Sequence, residues 1–309
     1  MGVTEGAMTV DAMAQARLSK TPEDIGLAAR NRRFNLREPL SRDWHGGRAF
    51  HTAFFNALSL SFPSGEKFFV DSVKHYLPRI DDPKLKRDAA AFVQQEYVHR
   101  REHHRYNKML AEMRGFELET LESLYNREIE RANREPPIAR LAATVVLEHI
   151  TAMFAAGSMR NSRWMDGAHP AMADLWQWHA IEETEHKSVA YDVFLAIGGD
   201  RKLLRHVMRI VRIRFPFNVF RSIVQMRRME GKPVCSWSFW REGYAFLLGR
   251  EGVIRDIRAD FRMFFRDDFH PWMIDNRELL RQTIEAQGSQ LVPKTGRSND
   301  CAPGTVDFR

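Results

Sequence analysis

Two Glu-x-x-His pairs, Glu96–His99 and Glu183–His186, sit inside long stretches of helical spacing. Residues three and four apart share one face of a helix, so each pair sets a carboxylate beside an imidazole. One such pair on a charged helix is ordinary surface chemistry, and the short motif is weak evidence alone. Two of them constrain the fold more than any other feature of this chain. A metal ion between two packed helices is a partner that both pairs can share. His179 stands four residues before Glu183 and falls on the same face, and His103 stands four after His99. His179 reads as a further ligand and His103 as a group that orients one. Glu182 and Glu185 are rotated away and read as supporting or surface groups, Glu182 being the candidate for support.

Two more carboxylates fit the same site. Glu148 lies in "LAATVVLEHITAMFAAG", a segment apolar enough to be buried. An unpaired buried carboxylate is costly, so Glu148 needs a cation or a proton. Glu66 lies in "FPSGEKFFVDSV" among Phe68, Phe69 and Val70. Taken alone it also reads as an exposed helix-start residue favoured by the helix dipole.

The surrounding pattern is helical. Asp82 and Pro83 are an N-cap and a first-turn proline for a stretch of some thirty residues, "DDPKLKRDAAAFVQQEYVHRREHHRYNKML". The stretch 136–159 opens on a proline pair, and 169–200 opens on His-Pro and ends on Gly-Gly. Residues 48–77 are helical on both sides of Pro63-Ser64-Gly65, which predicts a kink or a short break there. A more charged helix is expected over 117–134. Strand-like alternation is scarce, so the fold is expected to be all-α, a bundle with extra C-terminal helices. Residues 36–286 read as one domain, with the bundle core over about 48–200 and accessory helices over about 201–286. Residues 1–35 and 287–309 are polar, lack a sustained period, and read as poorly ordered tails.

Composition narrows the classes. Neither of the two cysteines, Cys235 and Cys301, sits in a CxxC, which argues against a disulfide framework or thiolate zinc site and for a reducing compartment. No secretory signal is legible, and no apolar run reaches the roughly 18–20 residues of a membrane-spanning helix. A cytoplasmic location is expected, with peripheral membrane contact as an option. The net charge of +7 is local, because residues 201–232 hold ten Lys/Arg and one acid, leaving about −2 elsewhere. That segment also carries Val207, Met208, Ile210, Ile213, Phe215, Phe217 and Phe220. It reads first as core-packing helices with a basic outer face, and second as an amphipathic contact for an anionic membrane or a protein. Pro216 is expected to interrupt it. No nucleic-acid recognition module is legible.

The series Glu66, Glu96-x-x-His99, Glu148, Glu183-x-x-His186 resembles the ferritin-like carboxylate proteins, in which two helices give one Glu each and two give Glu-x-x-His. Four carboxylates against two divalent ions are neutral, and the mixed oxygen and nitrogen donors suit iron, with manganese or zinc as alternatives. His179 ahead of Glu183 resembles the H-x-x-x-E-x-x-H pattern of the arylamine N-oxygenase group. The stretches "NALSLSFPSGEKFFVDSV", "DDPKLKRDAAAFVQQEYVHRREHHRYN", "WHAIEETEHKSVAYDV" and "FHPWMIDN", spanning about 35–280, resemble the bacterial family of predicted metal-dependent hydrolases. The resemblance implies an all-α metalloprotein, and the family description implies hydrolysis. In "FHPWMIDN", His270 and Asp275 read as parts of a turn. The ligand set itself favours a di-iron oxygenase or oxidase acting on a small apolar or amine substrate, supplied by an electron donor. A two-metal hydrolase is the alternative, and non-catalytic metal storage a third.

Overall fold

The structure, a computed structural model, describes residues 19–291, with side chains through 288. Among these residues the fold is all-α, with one isolated bridge between His45 and Ala168. After a helical turn at Arg37–Leu40, the chain forms α1 (Ala49–Tyr76), α2 (Pro83–Arg114), α3 (Leu118–Asn133), α4 (Pro137–Arg160), α5 (Pro170–His186) and α6 (Val189–Ala196). Then come α7 (Arg201–Met229), α8 (Trp237–Leu248), α9 (Val253–Met263) and α10 (Arg277–Leu291).

The start and stop signals work as their chemistry dictates. The Asp82 carboxylate accepts from the Leu85 N–H, Pro83 opens α2, and Gly115 ends it at φ 69°, a left-handed conformation that glycine adopts freely. At α5 the His169 ring accepts from the Ala171 N–H ahead of Pro170.

Three expectations about continuity are corrected. Of the kink or short break expected at Pro63, the break does not occur, since α1 runs unbroken from Ala49 to Tyr76. Pro63 has no N–H for the Ser59 carbonyl one turn back, but Asn107 Nδ2 donates to that carbonyl at 3.0 Å. A side chain from α2 thus replaces the lost backbone bond. Pro216 likewise lies inside an uninterrupted α7. By contrast, the stretch 169–200 is two helices, separated at Lys187–Ser188. There the Ser188 hydroxyl donates to Asp192 and pairs with Thr21, and the Lys187 ammonium donates to the Ile274 carbonyl.

α1 packs along α2, and α4 along α5; the two pairs close on each other through α1–α4, α2–α5, α2–α6 and α4–α6 contacts. α7 lies across α1, α3 and α4, with α8 on α1 and α9 on α4. Apolar side chains gather in two clusters. One holds Phe68, Phe92, Val146 and Phe194, the other Phe55, Leu58, Tyr106, Trp176 and Trp178. Burying each large apolar side chain contributes about 1.5–3 kcal/mol. α4 is long and apolar enough to cross a membrane by length and composition, a segment the sequence reading passed over; 61% of its apolar window is buried in the fold.

The reading of residues 1–35 as a tail is corrected over residues 19–35. Phe34 is buried, Arg32 pairs with Asp174, and Arg30 reaches α5. At the other end, Gln287 in α10 is buried and donates to Asp174. Residues 1–18 and 292–309, also read as tails, lie outside the described residues, as does Cys301.

Candidate metal centre

Between the two apolar clusters lies a buried polar layer. Glu66 comes from α1, Glu96 and His99 from α2, Glu148 from α4, and His179, Glu183 and His186 from α5; none is more than 4% exposed. Because α1 passes Pro63 unbroken, Glu66 is a mid-helix residue facing inward, and its helix-start reading falls away.

The donor atoms converge. Glu183 Oε1 is 3.0 Å from His179 Nε2 and 3.3 Å from His99 Nδ1, while Oε2 is 3.6 Å from His186 Nε2. Glu96 Oε1 lies 3.2 Å from His186 Nε2 and 3.9 Å from His99 Nδ1. Glu148 Oε2 lies 3.3 Å from His186 Nε2. Three groups have ligand atoms within 4.8 Å of one another and could hold a cation: Glu66, His99 and His179; Glu96, His99 and Glu183; Glu96, Glu148 and His186. Both oxygens of Glu66, Glu96 and Glu148, with Glu183 Oε2, His99 Nδ1, His179 Nε2 and His186 Nε2, have no hydrogen-bond partner among the described residues.

The electrostatics set what this layer requires. A buried unpaired charge costs several kcal/mol, against a total stability of about 5–15 kcal/mol for a typical domain. Four ionised carboxylates here need cations. Without them, protons serve. Burial pushes Glu66 and Glu96 well above the usual carboxylate range, with neighbouring carboxylates adding to the effect. Burial also raises Glu148, to about 7, although His186 opposes it. Burial would raise Glu183 too, but His186 and His179 hold it well below. Burial would lower His99 and His186, but the carboxylates they face hold both well above the ordinary imidazole value.

Each imidazole is also held from behind. His186 Nδ1 is 3.0 Å from Gln95 Oε1, and Gln95 Nε2 donates to Glu185. His99 Nε2 faces Glu182 Oε2 at an ion-pair distance of 3.1 Å without a hydrogen bond between them, and the other Glu182 oxygen accepts from the Arg30 N–H and from Trp178 Nε1. The Arg30 guanidinium grips Glu185 with two bonds of 2.6 and 2.8 Å. His179 Nδ1 is 2.7 Å from His103 Nε2, His103 Nδ1 is 2.9 Å from Ser59 Oγ, and Ser59 Oγ donates to Asn107 Oδ1. The last bond gives this series its direction. Ser59 has spent its proton, so His103 donates to it through Nδ1 and accepts from His179 through Nε2. His179 is left with a bare Nε2 facing Glu183. Burial, reinforced by neighbouring histidines, keeps His103 and His179 below the ordinary imidazole value, consistent with neutral rings.

All seven residues read as ligands are therefore brought into one layer, and His103 and Glu182 stand behind it. Arg30 and Gln95 were missed. Gln95 shares a face with His99, but glutamine carries no ligand signal, and "NRRFNLREPL" around Arg30 reads as loop. His270 and Asp275 lie elsewhere. His270 pairs with Asp192 and caps the turn at Trp272, and Asp275 pairs with Arg277.

The other side of the layer is apolar. A 50 Å³ cavity has His179 and Glu183 in its wall, with Phe62, Ile150, Phe154, Trp176 and Phe215. Leu58, Ile150, Phe154 and Phe215 also line a 610 Å³ groove among α1, α4, α7, α8 and α9. A second groove, of 520 Å³, shares Phe62, Ile150, Thr151 and Phe215 with the small cavity. Both volumes fall within the ~300–1,000 Å³ typical of small-molecule sites.

No curated protein and no solved structure matches the chain. A family model does, over residues 28–275, a span that takes in Arg30, all seven converging Glu and His residues and the walls of both grooves. With that match across most of its length, the chain belongs to the family of predicted metal-dependent hydrolases.

Proposed function

We propose that the buried layer is a two-metal carboxylate centre in a ferritin-like bundle, and that it carries out oxygen-dependent oxidation of an apolar substrate. The convergence of partnerless buried oxygens and nitrogens supports the metal reading most strongly. Glu66, His99 and His179 would hold one cation and Glu96, Glu148 and His186 the other, with Glu183 available to either. Two iron ions there would supply dioxygen activation once reduced, whereas zinc or manganese would supply Lewis acidity and a water of lowered pKa.

The chain's own residues then have defined tasks. His179 offers a bare nitrogen and His99 and His186 would each offer one on losing a proton, while Gln95, Glu182 and His103 stand beside the other ring nitrogens, an arrangement that fixes ring orientation and raises ligand basicity. The aromatic wall of Phe62, Phe154 and Phe215 keeps bulk water from the His179 side and admits apolar molecules. That dry approach, with three imidazoles among four carboxylates, favours oxygen chemistry, which also calls for an external electron donor.

Hydrolysis is the second reading. The family description favours it, and the same ligands suit a two-metal centre that activates water. The two are separated by purifying the protein anaerobically, quantifying its metal, reducing it and following oxygen uptake beside the Mössbauer spectrum. Two irons per chain with oxygen consumption supports the oxidase or oxygenase. Full zinc occupancy, no oxygen uptake and cleavage of ester substrates would establish the hydrolase. Loading far beyond two ions per chain would point to storage.

A further inference from the structure

The 610 Å³ groove differs from its neighbour in charge. Its wall is almost wholly apolar, including Phe50, Met153, Val219 and Trp240, and no acidic side chain lines it. Its charged side chains are Arg212 on α7 and Arg258 on α9, both exposed. No ion pair or hydrogen bond occupies either guanidinium among the described residues. In the 520 Å³ groove, by contrast, Arg131 and Arg214 both pair with Glu128. The first groove opens to solvent where Tyr244, Leu248 and Ile254 are 65%, 58% and 45% exposed. Its inner end shares Leu58, Ile150, Phe154 and Phe215 with the small cavity at His179 and Glu183. Phe215 precedes Pro216 and Phe62 precedes Pro63, so the two rings at this junction sit where their helices lack a backbone donor.

An apolar groove whose only charged wall residues are two exposed, unpaired arginines fits one kind of molecule. We propose that this groove binds a single-chain amphiphile with an anionic head, a long-chain carboxylate, with the head on Arg212 and Arg258 and the chain directed past Phe215 and Phe154 toward His179 and Glu183. The geometry follows from solvation. A carboxylate stays at the wet rim, where a guanidinium can take it with charge-assisted bonds, and the chain is driven inward by the apolar surface it buries. The apolar groove wall offers no partner for a charged head, which favours its staying with the exposed arginines. This assignment deepens the proposed function and rests on it for what happens at the chain's inner end, though the binding itself does not need the metal. The tight seat of α8 on α1 supports a built wall: at Gly243 a Cβ would collide with the Phe50 ring.

The test uses the full metal-loaded chain, with cis-parinaric acid as a fluorescent probe displaced by oleate or by oleyl alcohol. Saturable binding at one site per chain is expected. The double variant Arg212→Gln/Arg258→Gln should weaken oleate about tenfold or more, leave oleyl alcohol nearly unchanged, and keep the wild-type metal content. Equal loss for acid and alcohol, or no saturable binding, overturns the proposal. So does a signal that appears only with phosphatidylglycerol vesicles, since the arginines would then be meeting a membrane surface. Oleate binding by a chain that holds no metal upholds the groove and removes the metal reading. Two metals per chain with no oleate binding does the reverse.

Discussion

The two sides of the buried layer are made of opposite materials. Toward α2, α5 and the N-terminal segment, the histidines are backed by Gln95, Glu182, His103, Ser59 and Asn107, with Arg30 tying the outer carboxylates together. Toward α4 and α7 the same layer meets Ile150, Phe154 and Phe215. The polar side has directed bonds that fix where each ring points. The apolar side has only packing, which a ligand can replace. The contrast teaches that positioning and access are divided between the helices, with α5 carrying ligands that face both.

Ways to break that contrast begin with the ligands. Glu148→Ala should abolish two-metal binding, as measured by metal quantification after dialysis; two ions retained per chain would refute the ligand assignment. Next comes the backing. Glu182→Ala leaves His99 without its carboxylate support and should lower metal affinity about 10–100-fold. An unchanged affinity in a competitive chelator titration would mean that the polar side does not position anything.

A third test uses pH. Burial raises the Glu148 carboxyl to about 7, so the metal-free site holds a proton there that a cation must displace. Metal affinity should rise with pH through about 7 by about tenfold per unit for each proton displaced, Glu66 and Glu96 adding theirs to that of Glu148. Calorimetry in buffers of different ionisation enthalpy would count the released protons. The linkage sign for stability runs the other way. A carboxyl raised in the folded state favours folding most below its unfolded value, and that contribution is lost as pH rises through about 7. The metal-free protein should therefore melt lower at pH 8 than at pH 6, while the loaded protein holds. Equal melting points without metal would contradict a protonated Glu148.

The smallest effect belongs to the apolar side. Phe154→Leu should cost less than about 1.5 kcal/mol, leave the metal content unchanged and alter only what reaches His179. Loss of metal from that variant would erase the distinction between the two sides.

Much of this was legible beforehand, for a specific reason. Glu96–His99 and Glu183–His186 declare themselves because helical periodicity fixes which residues share a face. Glu148 declares itself because an acid in an apolar run needs a partner. The support was not legible. Arg30 lies on irregular backbone with no period, and its bonds to Glu182 and Glu185 span about 150 positions of chain. Pro63 misled for a similar reason. The local rule calls for a break, and a distant residue, Asn107, supplies the missing donor. Glu182 and Glu185 read as supporting or surface groups, and the fold buries both, with Arg30 bonded to each.

The sequence by itself determined the all-α character and the order of the Glu and His residues that converge, because these depend on local periodicity and on the cost of burying charge. Only the tertiary structure decided which nitrogen of each histidine faces the inner carboxylates, and that the layer is polar on one side and apolar on the other. Those features arise where helices remote in sequence meet. The packing that brings them together is a sum of many weak contacts that no local pattern encodes.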